Sequence, residues 1–218
     1  MDFELLSIFF AVALAHFLAL LSPGPDFVLV VKSAIKGQRK NAIGVALGIA
    51  MANAVYIGLC LIGVGTILAA SVSVMMTLKI IGGLFLLYLA FHAMKAPKSA
   101  YKELTVTPET GTSIAASSFT KECLTGFMSG ILNPKNLLFY LSLFTVALTP
   151  EVSLSFKVLL GVWMTLVVFF WDVAIIYVLS KQTMRNRFTR LSFYIDKVTG
   201  VILGAIGFSI VKSVIAKQ

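Results

Sequence analysis

Three ionisable residues stand alone inside long apolar runs: Asp26, Lys135 and Asp172. A charge at the centre of a membrane helix costs at least ~2.5 kcal/mol on insertion scales, so such groups face the protein interior and find a partner there. Two of the three directly follow a proline, in Ser22-Pro23-Gly24-Pro25-Asp26 and in Asn133-Pro134-Lys135-Asn136. Proline removes an N–H and clashes with the carbonyl four residues earlier, and Gly24 adds freedom, so a regular helix is not expected to run through either segment. In hydrocarbon the freed backbone groups persist only when buried in protein or lining a hydrated cavity. Freed N–H groups can hold a carboxylate and freed carbonyls an ammonium. Pro23, Gly24, Pro25 and Asp26 are therefore candidate substrate-binding residues on one side, and Asn133, Pro134, Lys135 and Asn136 on the other. Asp26 and Lys135, opposite in sign, either pair with each other or alternately engage the amino and carboxylate groups of a substrate. The alternative is a fixed structural pair between kinked helices, which should lose folding rather than activity when broken. Asp172, beside Trp171, is a candidate proton carrier together with Asp26; a hydrogen bond to a neighbouring helix is its alternative role.

These residues must be held by membrane helices. The chain has 218 residues, of which 59% are hydrophobic and 12% charged, far more apolar than an average soluble domain. Six apolar runs can be marked, at 4 to 31, 42 to 68, 75 to 94, 122 to 148, 156 to 180 and 195 to 215. They are continuous rather than alternating, which argues for helices and against a β-barrel. The first run follows Asp2 and Glu4 rather than Lys or Arg, and is too long for a signal-peptide core, so it reads as a retained span. Residues 96–120 differ in kind, with Pro97, Pro108, Gly111 and many polar residues, and read as a linker. This linker separates halves 1–95 and 121–218, each of three spans, and an odd number of spans per half inverts the second relative to the first. The expected fold is all-α: six transmembrane helices as two inverted three-helix repeats, with helices one and four broken by proline.

Lys and Arg cluster in the first, third and fifth connections: Lys32, Lys36, Arg39 and Lys40, then Lys95, Lys98, Lys102 and Lys121, then Lys181, Arg185, Arg187 and Arg190. By the positive-inside rule these connections face the cytoplasm, which puts both termini on the periplasmic side. The net charge of +9 is thus a matter of topology. The basic clusters lack the aromatic interleaving or single basic face of a nucleic-acid binder. Cys60 and Cys123 have no metal-ligand spacing, and His16 and His92 add too little for a metal site, so no metal and no cofactor is expected. His16 reads as a hydrogen-bonding packing residue. Gly44 with Gly48, Gly82 with Gly83, Gly126 with Gly130, and Gly200, Gly204 and Gly207 read as helix-packing faces, internal or at a homodimer contact.

In its motifs the sequence resembles the lysine exporter (LysE) and threonine/homoserine efflux (RhtB) family of bacterial amino-acid exporters. The likeness rests on Pro23-Gly24-Pro25-Asp26, on Lys79 through Gly82 with Tyr88 and Leu89, and on Phe127, Gly130 and Asn133-Pro134-Lys135. What it implies is a secondary transporter in the bacterial inner membrane that exports amino acids or their derivatives, expected to run on the proton-motive force as an antiporter. Nothing in the sequence decides among substrates, although the small number of core acids leans towards neutral ones. Two rival classes remain at this level. An intramembrane aspartyl enzyme would need two carboxylates sharing a site, and a channel for another metabolite or ion would lack saturable exchange. No G-x-x-x-x-G-K-S/T loop is present for ATP to drive transport.

Overall fold

The computed structural model describes residues 3–22, 24–36, 39–97, 118–147 and 152–216. Pro23 and most of the expected linker (98–117) lie outside the described residues. Among the described residues all regular structure is helical: α1 (Phe3–Leu21), α2 (Pro25–Lys36), α3 (Arg39–Ala70), α4 (Val72–Lys95), α5 (Phe119–Leu132), α6 (Pro134–Ala147), α7 (Leu154–Leu179) and α8 (Gln182–Ile215). Three helices start on the same chemistry. Ser71, Ser118 and Ser153 each accept a bond from the backbone N–H three residues on, satisfying one of the donors a helix leaves free at its start. Pro25 and Pro134 occupy the first position of α2 and α6, where the missing N–H is not needed.

Helices α3, α4, α7 and α8 are each long and apolar enough to cross a membrane. Helices α1 and α2, bent by 56° across a short break, would make a fifth span if taken together. Helices α5 and α6 have 14 residues each, about 21 Å at 1.5 Å per residue, and neither alone crosses a ~30 Å hydrocarbon core. The last helix departs from expectation: α8 begins at Gln182, so Arg185, Arg187 and Arg190 of the fifth connection lie on its opening turns rather than in a loop, with Lys181 at its N-cap. Gln, Met and Arg are good helix formers, and only Ser180 and Lys181 are needed to turn the chain from α7. Large apolar side chains such as Phe10, Ile62, Leu132, Phe170 and Phe208 are more than half exposed. That surface suits lipid.

The tightest seams are built on glycine. Helix α3 packs along α5, and α4 along α8. A Cβ on Gly207 would meet the Gly83 carbonyl oxygen at 2.7 Å, so the α4 and α8 backbones touch directly. The same seam is clamped at its basic end by Lys197, whose ammonium donates to the carbonyls of Met94 (2.6 Å), Ala93 and Ala96 (2.8 Å each). These are last-turn carbonyls of α4, which lack helical partners and carry the negative end of the helix dipole. Lys197→Met is expected to fray this turn. The check is hydrogen exchange of the Ala96 amide, bonded to His92 at 2.9 Å, which should speed up about tenfold or more, as one charged hydrogen bond is worth about 1.5–3 kcal/mol.

Candidate functional site

The two interrupted segments meet inside the bundle. At the first, α1 ends at Leu21 and α2 starts at Pro25, with Gly24 accepting the first α2 bond from Val28 N–H at 3.0 Å. Asp26 falls in the first turn of α2, where the helix dipole favours a carboxylate. At the second, Asn133 separates α5 from α6 and its side-chain oxygen accepts the Lys135 N–H at 3.1 Å, capping α6. The Tyr56 hydroxyl donates to the Ile131 carbonyl at the end of α5. One N–H and one carbonyl beside the interruption are thereby satisfied by side chains.

The Asp26 carboxylate crosses from α2 to the α5–α6 segment. It accepts the Ser129 hydroxyl at 2.6 Å, the Asn136 amide at 2.7 Å and the Asn133 amide at 3.0 Å. Lys135 crosses the other way, its ammonium donating to the Ser22 carbonyl at 3.3 Å and lying against Gly24. Asp26 and Lys135 do not bond each other directly. Each instead reaches the opposite interruption, in a reciprocal exchange of an acid and a base. The Lys135 ammonium thereby lies at the carbonyl end of α1, where the helix dipole favours a cation.

A cavity of about 60 Å³ lies between these groups. Its walls include Asp26, Lys135, Asn53, His16, Tyr140 and Asp172. Asp172 is buried, at 6% exposed, and accepts no hydrogen bond among the described residues. His16 lies buried, its Nε2 3.2 Å from the Met164 carbonyl and its Nδ1 without a hydrogen-bond partner among the described residues.

Of the residues singled out in the sequence, Gly24, Asp26, Asn133, Lys135, Asn136 and Asp172 line this one cavity. Pro25 and Pro134 start the two helices beside it, and Pro23 lies outside the described residues. Sequence reasoning missed Ser129 and Asp196. Ser129 stands on α5 four residues before Asn133, one helical turn, a spacing that turns it to the same side as the interruption. Asp196 stands four residues before Gly200 and eight before Gly204, on the packing stripe of α8, a signal that it points inward. It accepts the Ser22 hydroxyl at 2.7 Å.

Known proteins match this chain over nearly its whole length. The threonine efflux protein of Salmonella typhi is 26% identical over 209 residues, covering 96% of this chain and 100% of the relative. The threonine efflux protein of Escherichia coli strain K12 is 26% identical over 211 residues, with the same coverage. An uncharacterised membrane protein of Bacillus subtilis, YrhP, is 26% identical over 198 residues, covering 86% of this chain and 90% of the relative. No solved structure matches. The family model of LysE type translocators matches residues 17–213. This multi-pass membrane chain, a transporter and not an enzyme, belongs to the LysE type translocator family.

Proposed function

We propose that this chain exports amino acids across the bacterial inner membrane in exchange for protons. The observation that carries the reading is the crossed pair, Asp26 reaching the α5–α6 interruption and Lys135 reaching the α1–α2 interruption, on the wall of one buried cavity. An α-amino acid carries an ammonium and a carboxylate a few ångströms apart. Asp26 takes the first and Lys135 the second. The names of the threonine efflux relatives support an exporter and make threonine the first substrate to try. Asp172, in the same cavity and without a hydrogen-bond partner among the described residues, is the group that carries the proton.

Two inverted halves, 1–95 and 121–218, supply the moving parts. Several features support this plan: each half opens on an interrupted segment, each interruption resumes as Pro followed by a charged residue, α3 packs on α7 and α4 on α8, and α2 packs on α7 as its counterpart α6 packs on α3. On this plan α5 and α6 together form the fourth of six spans, with the linker cytoplasmic and both termini periplasmic. The cavity of about 60 Å³ falls short of the about 300–1,000 Å³ of small-molecule sites. Loading an amino acid therefore requires the α1–α2 segment or Lys135 to move aside.

The test is counterflow in proteoliposomes with a panel of labelled amino acids that includes threonine, with and without a pH gradient. Saturable exchange stimulated by the gradient is expected of the parent chain. Asp172→Asn should keep exchange but lose the stimulation, and Lys135→Ala should lose both. Folded parent protein that exchanges no amino acid would turn the reading to another small metabolite or an ion.

A further inference from the structure

Lys135 stands in a wall between two cavities. The second, of about 550 Å³, opens at the end of α4 and is lined by Ser22, Gly24, His92, Pro97, Lys135 and Asp196 among others. Ser22, Gly24 and Lys135 line both. Asp26 lines only the inner cavity and Asp196 only this vestibule. Both carboxylates act electrostatically on the Lys135 ammonium. One base is thus flanked by two acids, one on each side of the wall.

Size separates the two chambers. Small-molecule sites run to about 300–1,000 Å³, so the vestibule holds an amino acid as it stands and the inner cavity does not. Its chemistry selects as well. A simple anion meets the Asp196 carboxylate and a simple cation meets Lys135, whereas a zwitterion satisfies both. Asp196 is buried, at 6% exposed, and is held toward the α1–α2 interruption by the Ser22 hydroxyl at 2.7 Å.

We propose that the vestibule is a second amino-acid site, a loading site in which Asp196 holds the substrate's ammonium and Lys135 its carboxylate. The substrate then passes inward by exchanging Asp196 for Asp26 while its carboxylate stays with Lys135. This rests on the reading of the inner cavity as the transport site and extends it to a two-step loading path.

The test compares labelled threonine exchange measured from each face of the membrane, in everted and right-side-out vesicles carrying the full chain. Asp196→Asn, which preserves shape, should raise the half-saturating concentration about tenfold or more from the face bearing Pro97. From the opposite face it should stay within about twofold, and Asp196→Glu should restore most of the loss. A purely structural role for Asp196 would shift both faces alike, and that result overturns the proposal, as does an unchanged Asp196→Asn in an active parent. An inert parent overturns the proposed function and this site with it. A second measurement does not depend on how Asp196→Asn folds: alkylation of a Pro97→Cys chain by a polar maleimide, read by mass spectrometry. Threonine should slow that alkylation, and should still do so when Asp26→Asn has removed the inner site. Lack of protection in both backgrounds overturns the loading site.

Discussion

Counterflow by an Asp26→Asn variant is expected to fall by about two orders of magnitude while the protein remains folded. Asp26 accepts three hydrogen bonds, from Ser129, Asn133 and Asn136. Asn133 and Asn136 both donate to one carboxylate oxygen and Ser129 to the other. An asparagine that keeps its oxygen towards the two amides turns its own amide to Ser129, whose hydroxyl accepts as well as donates, which limits the damage to the fold. The loss of function is larger, because the substrate's ammonium then faces Lys135 without the carboxylate that balanced it. Truncating one member of a buried charge pair costs about 2–5 kcal/mol, or roughly 30-fold to several thousand-fold in affinity. The measurement pairs counterflow with the thermal midpoint of the purified variant. A midpoint that collapses along with exchange would make Asp26 a structural anchor, and full exchange would remove it from the site.

Gly48→Ala is expected to separate α3 from α5 and to destabilise the protein strongly, whereas Gly58→Ala on the same helix is expected to be harmless. A Cβ on Gly48 would lie 2.0 Å from the Cys123 carbonyl oxygen and 2.5 Å from the Phe127 nitrogen. Both are backbone atoms of a helix, so the clash can be relieved only by moving α5 as a whole. The contact is reciprocal, with a Cβ on Gly126 reaching 2.2 Å from the Val45 carbonyl oxygen. Overpacking commonly costs about 1–3 kcal/mol where side chains can shift, and this seam has none to shift. At Gly58 an added Cβ meets nothing within 4 Å, and alanine is favoured over glycine in a helix by roughly 0.5–1 kcal/mol. Thermal midpoints in detergent decide the matter, and equal midpoints for the two variants would contradict this packing. Because α5 carries Ser129 and leads into Asn133, the Gly48 change should also weaken exchange in whatever protein survives.

The apolar runs and the charges inside them are legible in the sequence because the bilayer is an unforgiving solvent. Twenty-residue runs of Leu, Val, Ile and Phe have no other economical fate, and an acid or base within one stands out against them. Asp26, Lys135 and Asp172 therefore declare themselves by residue type and position alone, and helices start at Pro25 and Pro134, the position in a helix that tolerates proline best. The glycine seams are visible as spacing, but which helix each one meets is not.

What the sequence by itself determined is the local part: helical segments in an apolar solvent, helix starts at Pro25 and Pro134, and the identities of the few charged residues beside them. Tertiary structure alone decided the partners. It set Asp26 against Ser129, Asn133 and Asn136 rather than against Lys135, and sent Lys135 to the Ser22 carbonyl. It also brought Asp196 from the far end of the chain to Ser22, 174 residues away in sequence, although an acid so close to a basic cluster carries no mark in the sequence of a distant partner. The physical reason is that a proline or an apolar run constrains its own neighbours in the chain, whereas a hydrogen bond across helices depends on their rotation and depth. Those are settled by the close contacts of glycines in different helices, at distances that no single segment encodes.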